Sequence, residues 1–219
     1  GIAVLLILIL SLAVTACGDR YGVKEGESYI YCMNTDKICI FTDTGKMHTI
    51  KAVDIPLGRF RDKGTPVDNL SNYDSSQERM LYVAPVGQLR SDRLLFVTKT
   101  SMCKLVEGAE FDVAKRTIAS TKLADEDELI FIGSASEMEQ IVLQSHGGCF
   151  LRFLTQEVST MKKTALGVRG MKLADDDYLE HAYLLAGHQE YTISYHDKEY
   201  ALNKVRLAKR DTKGIKPRI

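Results

Sequence analysis

Short apolar runs rich in β-branched and aromatic residues alternate with polar turns along most of the chain. Residues 41–50, FTDTGKMHTI, contain two such runs around a turn that includes Gly45. Similar paired runs occur at 94–106, at 141–153 and, in a weaker form, at 191–205. Alternation of this kind, punctuated by Gly, Asp and Asn, is typical of strands joined by turns. The pattern predicts four β-hairpins.

The hairpins recur at a regular spacing. Their aligned turn positions, Gly45, Ser101, Gly148 and Lys198, are separated by 56, 47 and 50 residues. A basic segment follows each hairpin, and in the first three repeats an acidic turn and a further β-rich run come next. No stretch of a dozen residues shows helical periodicity. Four short strands per repeat are typical of a propeller blade, so the sequence predicts an all-β, propeller-like fold.

This pattern divides the chain into three parts. The predicted parts are an apolar signal-like or foreign segment at 1–18, a linker at 19–28 and the repeat domain at 29–219. The predicted blades cover roughly 29–86, 93–137 and 140–189, with a partial blade at 190–219. About three and a half blades are therefore expected.

The first eighteen residues, GIAVLLILILSLAVTACG, differ from the rest of the chain. The apolar run is shorter than the roughly 20 residues that a membrane-spanning helix needs. It resembles the core of a secretory signal peptide followed by a bacterial lipoprotein box, with Cys17 as the lipidated residue. The segment shows neither an initiating Met nor a basic region before the apolar run. A buried strand or helix, or a segment joined by a misplaced start or chimeric assembly, are the alternatives.

The composition is that of a chain with a buried core and excludes a disordered tail. The 219 residues are 45% hydrophobic and 26% charged, which is enough to bury a core. Lys+Arg and Asp+Glu both number 29, so net charge gives no indication of a polyanionic partner. The five cysteines form no C-x-x-C pair, so a disulfide framework or zinc site is poorly supported, and reduced, mostly buried thiols are expected.

The distribution of charge is more informative than its sum. Basic residues recur at one point of each repeat, so a closed or partly closed disc would bring them to one rim. These candidate DNA-binding residues are Arg59, Arg61, Lys63, Lys115, Arg116, Lys122, Lys162, Lys163, Arg169, Lys172, Lys209, Arg210 and Lys213. A basic track of this kind binds phosphates through counterion release and reads the shape of DNA more than its base sequence. The sequence GVRG at 167–170 would let the backbone approach a phosphate beside Arg169, or form an ordinary tight turn.

Catalytic and metal-binding patterns are not found in the sequence. The five histidines form no H-E-x-x-H motif, and there is no G-x-S-x-G sequence. The acidic residues at 125–128 and 175–177 lack the paired context of a Mg²⁺ site and are expected to be solvated turn residues. We therefore assign no catalytic residue and no metal ligand.

The repeated unit resembles the C-terminal domain of the A subunit of bacterial type IIA topoisomerases, DNA gyrase and topoisomerase IV. The segments that carry the resemblance are ICIFTDTGKMHTIKAVDIP, IVLQSHGGCFLRF, FRDKGTPVDNL, EFDVAKRTIASTKL and ALGVRGMKLADDD, within roughly 29–214. The resemblance implies a β-pinwheel, a propeller-like disc whose basic rim binds and bends double-stranded DNA. The family's disc usually has five or six blades. Its glutamine-arginine-glycine box is not present in this sequence, which favours a topoisomerase IV-like or divergent gyrase parent, unless the box belongs to a blade outside this sequence.

The resemblance also implies what the chain does not do alone. In the family the nucleophilic Tyr lies in an upstream region, so this chain is not expected to be an enzyme by itself. The parent enzyme would be an A-subunit homodimer with ATPase B subunits, using Mg²⁺ and ATP through other domains or subunits, with no cofactor bound by this chain. The expected location is the cytoplasm, in association with the nucleoid. The alternative, supported by residues 1–18, is a lipid-anchored extracytoplasmic β-propeller that binds a protein or glycan.

Overall fold

The structure, a computed structural model, describes residues 3–9, 13–17, 27–58, 63–187 and 189–217. In chain order the strands are β1 (Ala3–Ile9), β2 (Ala13–Cys17), β3 (Glu27–Met33), β4 (Lys37–Thr42), β5 (Lys46–Lys51), β6 (Thr65–Pro66), β7 (Met80–Pro85), β8 (Arg93–Thr98), β9 (Met102–Glu107), β10 (Thr117–Ala119), β11 (Leu129–Ser134), β12 (Gln140–Ser145), β13 (Phe150–Leu154), β14 (Val168–Arg169), β15 (Leu179–Leu185), β16 (Thr192–Tyr195) and β17 (Lys198–Ala201). Between them lie two four-residue α-helices, α1 (Val67–Leu70) and α2 (Val86–Leu89), and four 3-10 helices, Ala52–Asp54, Gly108–Phe111, Thr155–Glu157 and Leu202–Lys204. In the part of the chain covered by these ranges, no helix is long and apolar enough to cross a membrane.

The four predicted hairpins are confirmed as β4–β5, β8–β9, β12–β13 and β16–β17. In the first three, the predicted turn residue has a left-handed backbone, with φ of 74° at Gly45, 72° at Ser101 and 78° at Gly148. The prediction of the fourth turn at Lys198 is wrong. The positive φ values fall on His196 and Asp197, and Lys198 is the first residue of β17. A two-residue turn of this kind needs positive φ at both positions, which Asp and His tolerate better than Lys.

The strands form two compact units. One unit comprises Gly1–Ser91 and Gly108–Ser120 and contains the sheets β3-β1-β2-β6 and β10-β5-β4-β7. The other unit comprises Asp92–Glu107 and Thr121–Ile219 and contains β11-β8-β9-β14, β13-β12-β15 and the hairpin β16-β17. The first strands of three hairpins are buried along residues 38–42, 94–98 and 141–145. Burial on both faces accounts for their near-continuous apolar sequences.

Each of the two sheets built on β4–β5 and β8–β9 takes its outermost strand from the repeat that follows it. β10 pairs with β5, with Ile118 opposite Met47, and β14 pairs with β9, with Val168 opposite Cys103. The isolated bridge between Phe150 and Ile215 occupies the same position beside β13. A repeat read as one continuous block in sequence is therefore divided between two sheets. Spacing along the chain does not specify strand partners, so the sequence pattern could not show this exchange.

The apolar N-terminal segment is part of a sheet. Its two strands, β1 and β2, pair with each other, β3 pairs with β1, and β6 pairs with β2. The segment therefore has the position that a hairpin has in the β10-β5-β4-β7 sheet. Because periodicity does not distinguish a buried strand from a buried helix in a short apolar run, the sequence left both open. Lipidation of Cys17, the last residue of β2, stays a prediction.

Candidate nucleic-acid interface

Each of three basic loops follows a 3-10 helix. Each precedes the strand or bridge residue that pairs with the hairpin of the preceding repeat. We name them loop A (112–116), loop B (161–166) and loop C (208–213). Each loop connects elements of the same repeat at the same point, as the sequence predicts. The corresponding loop of the first repeat is described only from Lys63 onward, so the predicted residues Arg59 and Arg61 lie outside the described part of the chain.

Most of the candidate basic residues that the structure describes have exposed side chains. The exposed candidates are Lys63, Lys115, Arg116, Lys122, Lys162, Arg169, Lys172, Lys209 and Lys213. Lys163 and Arg210 are half-buried. Lys63, Lys115 and Arg116 belong to the first unit and the others to the second. Their identity as DNA contacts stays a prediction, and the geometry separates them into groups with different surroundings.

Loop A is attached to its sheet through backbone carbonyls. The Nζ of Lys37 donates to the carbonyl oxygen of Val113 at 2.8 Å. The backbone N–H of Thr49 donates to the carbonyl of Arg116 at 2.8 Å, and its hydroxyl donates to the carbonyl of Lys115 at 3.1 Å. The carbonyls of the two cationic residues are thus bound by β5, while their side chains remain exposed.

A buried polar cluster fixes the strand that follows loop A. His48 is 2% exposed, and its Nε2 lies 2.7 Å from Oε1 of Glu78 while its Nδ1 lies 3.0 Å from Oγ1 of Thr117. Thr42 and Thr44 donate to the other carboxylate oxygen of Glu78 at 2.8 and 2.9 Å. Burial alone would raise the pKa of Glu78, but these hydrogen bonds and the neighbouring imidazole lower it. The cluster therefore holds a charged carboxylate inside the first unit.

In the second unit, backbone hydrogen bonds join a lysine of one repeat to the basic loop of the next repeat. The N–H of Lys122 donates to the carbonyl of Lys163 in loop B at 3.1 Å. The N–H of Lys172 donates to the carbonyl of Thr212 in loop C at 2.9 Å. Lys122 and Lys172 have equivalent positions after an exchanged strand, so the same arrangement occurs twice. That all the basic residues of the repeats share one rim stays a prediction.

Arg169 has a carboxylate partner. Its Nε and Nη2 lie 2.5 and 3.2 Å from the two carboxylate oxygens of Asp211 in loop C. The hydrogen bond and charge of Asp211 raise the pKa of Arg169, and the same contacts lower the pKa of Asp211. A phosphate would have to compete with this carboxylate for the guanidinium. Arg169 is therefore a weaker candidate contact than its sequence position indicates.

The guanidinium of Arg210 is hydrogen-bonded to backbone carbonyls. Its Nε donates to the carbonyl of Glu157 at 3.1 Å, its Nη1 donates to the carbonyl of Arg169 at 2.5 Å, and its backbone N–H donates to the carboxylate of Glu157 at 2.9 Å. These contacts connect loop C to a 3-10 helix and to β14. The half-buried guanidinium thus acts as a cross-link between backbone segments.

The glycines of GVRG permit close packing between strands. A Cβ on Gly167, whose φ is 106°, would lie 2.7 Å from the carbonyl oxygen of Cys103 on β9. A Cβ on Gly170 would lie 2.6 Å from the Sγ of Cys103 and from a methyl group of Leu143. Gly167 is therefore required by the close approach of β14 to the backbone of β9, and a side chain at Gly170 would have to displace Cys103 and Leu143. This favours a tight backbone segment over a phosphate-binding loop as the role of GVRG.

Comparison with known families identifies this architecture. The sequence model described as DNA gyrase C-terminal domain, beta-propeller, matches residues 36–75, 92–136 and 139–186, which is more than half of the chain. The chain belongs to this family. A crystal structure of the C-terminal domain of DNA topoisomerase IV superposes with a TM-score of 0.84 at 21% identity, covering 97% of this chain and 72% of that chain. The predicted all-β pinwheel of a type IIA topoisomerase is confirmed.

Curated relatives of this gyrase-family domain are much longer proteins. The DNA gyrase A subunit of Ureaplasma parvum is 27% identical over 201 residues, which cover 89% of this chain and 24% of that protein. The DNA topoisomerase 4 A subunit of Bacillus subtilis is 29% identical over 168 residues, which cover 74% of this chain and 21% of that protein. The chain thus spans about a quarter of the length of the relatives it matches.

Three acidic residues of the gyrase-family repeats have a role that the sequence analysis missed. Glu78, Asp127 and Asp177 each lie two residues before the strand that pairs with the first strand of their sheet's hairpin, and each contacts the tip of that hairpin. Besides the Thr44 contact of Glu78, Asp127 accepts the N–H and hydroxyl of Thr100 at 3.0 and 2.6 Å, and Asp177 accepts the N–H of Gly147 at 2.8 Å. These acids therefore fix the hairpin tips. Their recurrence two residues before a strand is the sequence signal from which this role could have been predicted. The neighbouring acids of the same turns are exposed, as the sequence predicts: Asp125, Glu126, Asp175 and Asp176.

The four cysteines whose side chains the structure describes lack the features of a reactive or metal-binding thiol. Cys32, Cys39, Cys103 and Cys149 are all free thiols. Burial raises the pKa of both Cys39 and Cys103 to about 12. A thiol with such a pKa is a poor nucleophile and a poor metal ligand near neutral pH. Among the residues described, no group of three or more His, Cys, Asp or Glu side chains is placed to hold a metal ion.

Proposed function

We propose that loops A, B and C bind the phosphates of double-stranded DNA and hold the duplex in a bent path. In this proposal the domain serves the A subunit of a bacterial type IIA topoisomerase, as its similarity to A subunits of DNA gyrase and DNA topoisomerase 4 suggests. It acts on DNA as a binding module, and other regions of the parent enzyme carry out the ATP-dependent, Mg²⁺-dependent change of topology. The parent would be an A-subunit homodimer with ATPase B subunits, located in the cytoplasm with the nucleoid.

The observation that carries the proposal is the repeated placement of lysines in the second unit. The backbone N–H of Lys122 is hydrogen-bonded to the carbonyl of Lys163 in loop B, and that of Lys172 to the carbonyl of Thr212 in loop C. Such bonds leave the side chains of Lys122 and Lys172 exposed. Successive cations supported by rigid backbone are suited to successive phosphates, which are spaced regularly and carry no sequence information.

The expected readout is shape and flexibility of the duplex. Lysine ammonium groups bind phosphates as point charges, without the planar geometry that recognises a base edge. A duplex that bends easily should therefore bind better than a stiff one of the same length.

Binding and bending can be tested together. Two duplexes of equal length and matched flexibility but unrelated sequence, each labelled at both ends, are titrated with the chain while anisotropy and end-to-end energy transfer are recorded. We expect similar affinities for the two sequences and a shorter end-to-end distance on binding. Equal binding without any change in energy transfer would remove bending from the proposal, and strong preference for one unrelated sequence would contradict phosphate recognition.

The lipid-anchored alternative is not favoured. Cleavage before Cys17 would remove β1 and nearly all of β2, the two strands at the centre of the β3-β1-β2-β6 sheet. Metabolic labelling with a fatty-acid analogue in the native host distinguishes the two candidates. We expect no incorporation, whereas incorporation that disappears in Cys17→Ser would support the anchored protein.

A further inference from the structure

A buried lysine lies beneath loop B. Lys104 is on β9 and only 1% of its surface is exposed. Its Nζ donates to the carbonyl oxygens of Ala165 at 2.6 Å, Lys163 at 2.7 Å and Lys162 at 3.4 Å. An ammonium group has three protons to donate, and these three carbonyl acceptors belong to one loop.

We propose that Lys104 is a positioning residue for DNA binding, which fixes the backbone of loop B and so the positions of Lys162 and Lys163 along the proposed DNA path. The inference rests on the proposed function, because it explains how one of the basic loops is organised for it. Lys104 itself is too deeply buried to contact DNA. Its effect on binding must therefore pass through the conformation of loop B.

The physical reason is preorganisation. The start of loop B is joined to β9 by the N–H of Met161, which donates to the carbonyl of Leu105 at 2.7 Å. Collecting the carbonyls of residues 162, 163 and 165 around one ammonium fixes the backbone dihedrals between them. A loop that is already ordered loses less conformational entropy when it binds. The bound carbonyls also direct their negative ends towards the interior, away from an approaching phosphate.

The first unit has an equivalent arrangement made from different residues. Met47 and Cys103 each lie opposite the exchanged strand, so His48 and Lys104 occupy the same position one residue later. His48 contacts Thr117, the residue directly after loop A, and Thr49 contacts the loop A carbonyls. Two different polar solutions at one position of the repeat indicate that holding the basic loop is a requirement of the site.

The test compares four proteins in duplex binding: wild type, Lys104→Met, the double variant Lys162→Gln/Lys163→Gln, and the triple variant. Lys104→Met keeps an unbranched apolar side chain and removes the ammonium. We expect Lys104→Met to weaken binding about three- to tenfold, in the range of coupling between contacting residues. The triple variant should bind no more weakly than the double variant, because Lys104 acts only through these two lysines.

A second readout reports the loop directly. Trypsin cleaves after lysine, so Lys104→Met should accelerate cleavage at Lys162 and Lys163 relative to Lys115. The control Ile141→Val, in the buried core of the same unit, lowers stability without touching the loop and should change neither loop cleavage nor affinity. If Lys104→Met does not fold, as judged by circular dichroism, Lys104→Gln retains two amide donors and carries the same comparison.

The outcomes separate the two proposals. If Lys104→Met and Lys104→Gln both bind duplex DNA with the wild-type affinity, the positioning role is overturned and the proposed function is left intact. A loss in Lys104→Met that adds in full to the loss in the double variant also overturns it, since an independent effect does not pass through loop B. A wild-type chain that fails to bind duplex DNA overturns the proposed function itself.

Discussion

The guanidinium of Arg169 and the carboxylate of Asp211 form a two-point ion pair, with Nε–Oδ1 and Nη2–Oδ2 distances of 2.5 and 3.2 Å. Both side chains are exposed, so the pair adds little to stability. Its main effect is electrostatic, because an acid lies among the basic residues of loop C and β14. Asp211 therefore limits the attraction of this surface for a polyanion.

Asp211→Asn should strengthen duplex binding. Removing the carboxylate releases Arg169 for a phosphate, and Asn tolerates the left-handed backbone of this position, where φ is 64°. We expect affinity to rise about two- to fivefold, in proportion to the weak pair that is lost. The control is Asp176→Asn on the exposed acidic turn, which should have a smaller effect. Unchanged or weaker binding by Asp211→Asn, measured by anisotropy at low salt, would contradict a DNA path over Arg169.

Neutralising equivalent basic pairs should have equivalent effects. Lys115→Gln/Arg116→Gln in loop A and Lys162→Gln/Lys163→Gln in loop B should weaken binding by similar amounts. Circular dichroism and thermal unfolding should stay nearly unchanged, because three of the four side chains are exposed, Lys163 being half-buried, and exposed charges contribute little to stability. Neutralising Asp125/Glu126 or Asp175/Asp176 serves as the control and should not weaken binding. If only one basic pair matters, DNA does not follow the loops from repeat to repeat.

Arg210→Gln should mainly destabilise the fold. The substitution leaves the carbonyls of Glu157 and Arg169 without their guanidinium donor. We expect the free energy of unfolding to fall by about 1–3 kcal/mol, the usual effect of removing hydrogen bonds to a charged group. The neighbouring control Lys209→Gln, at an exposed position, should leave unfolding unchanged and weaken DNA binding. A loss of affinity in Arg210→Gln with unchanged denaturant unfolding would instead identify Arg210 as a direct contact.

Glu78 should make the stability of the first unit sensitive to acid. Its pKa in the folded protein is lowered from 4.5, so its contribution is fully present above the unfolded-state value and is lost as pH falls through the folded-state value. Glu78→Gln should therefore lower the free energy of unfolding at neutral pH by about 1–3 kcal/mol. This difference from wild type should become smaller as the pH falls below 4.5. Urea unfolding at several pH values measures this. The exposed control Asp54→Asn should show no such dependence, and a difference that grows in acid would refute the assignment.

The sequence predicts the hairpins well because their physical signals are local. Gly45 and Gly148 mark left-handed turns, and buried runs such as 94–98 are recognisable from composition alone. The exchange of β10 and β14 between repeats is not local. Ile118 and Val168 are compatible with several partner strands, and only packing selects the strand that each one joins.

The candidate site could be predicted as a set of positions but not as a set of roles. The basic loops recur where the sequence places them, yet charge alone does not distinguish exposed Lys115 from the cross-linking Arg210 or the buried Lys104. The role of a cation depends on whether carbonyls or carboxylates of other repeats surround it. Those neighbours are distant in sequence, as Asp211 is from Arg169, and become visible only in the folded chain.

The salt dependence of duplex binding tests the central claim most directly. Each phosphate contact made by a lysine or arginine contributes about 0.9 to the slope of log affinity against log salt concentration. We predict a steep negative slope for the wild-type chain, and a slope reduced by about 1.8 when the two lysines of loop B are replaced by Gln. Affinity that does not change with salt, or no detectable binding at about 50 mM salt, where phosphate contacts are strong, would contradict the assignment of the basic loops to DNA.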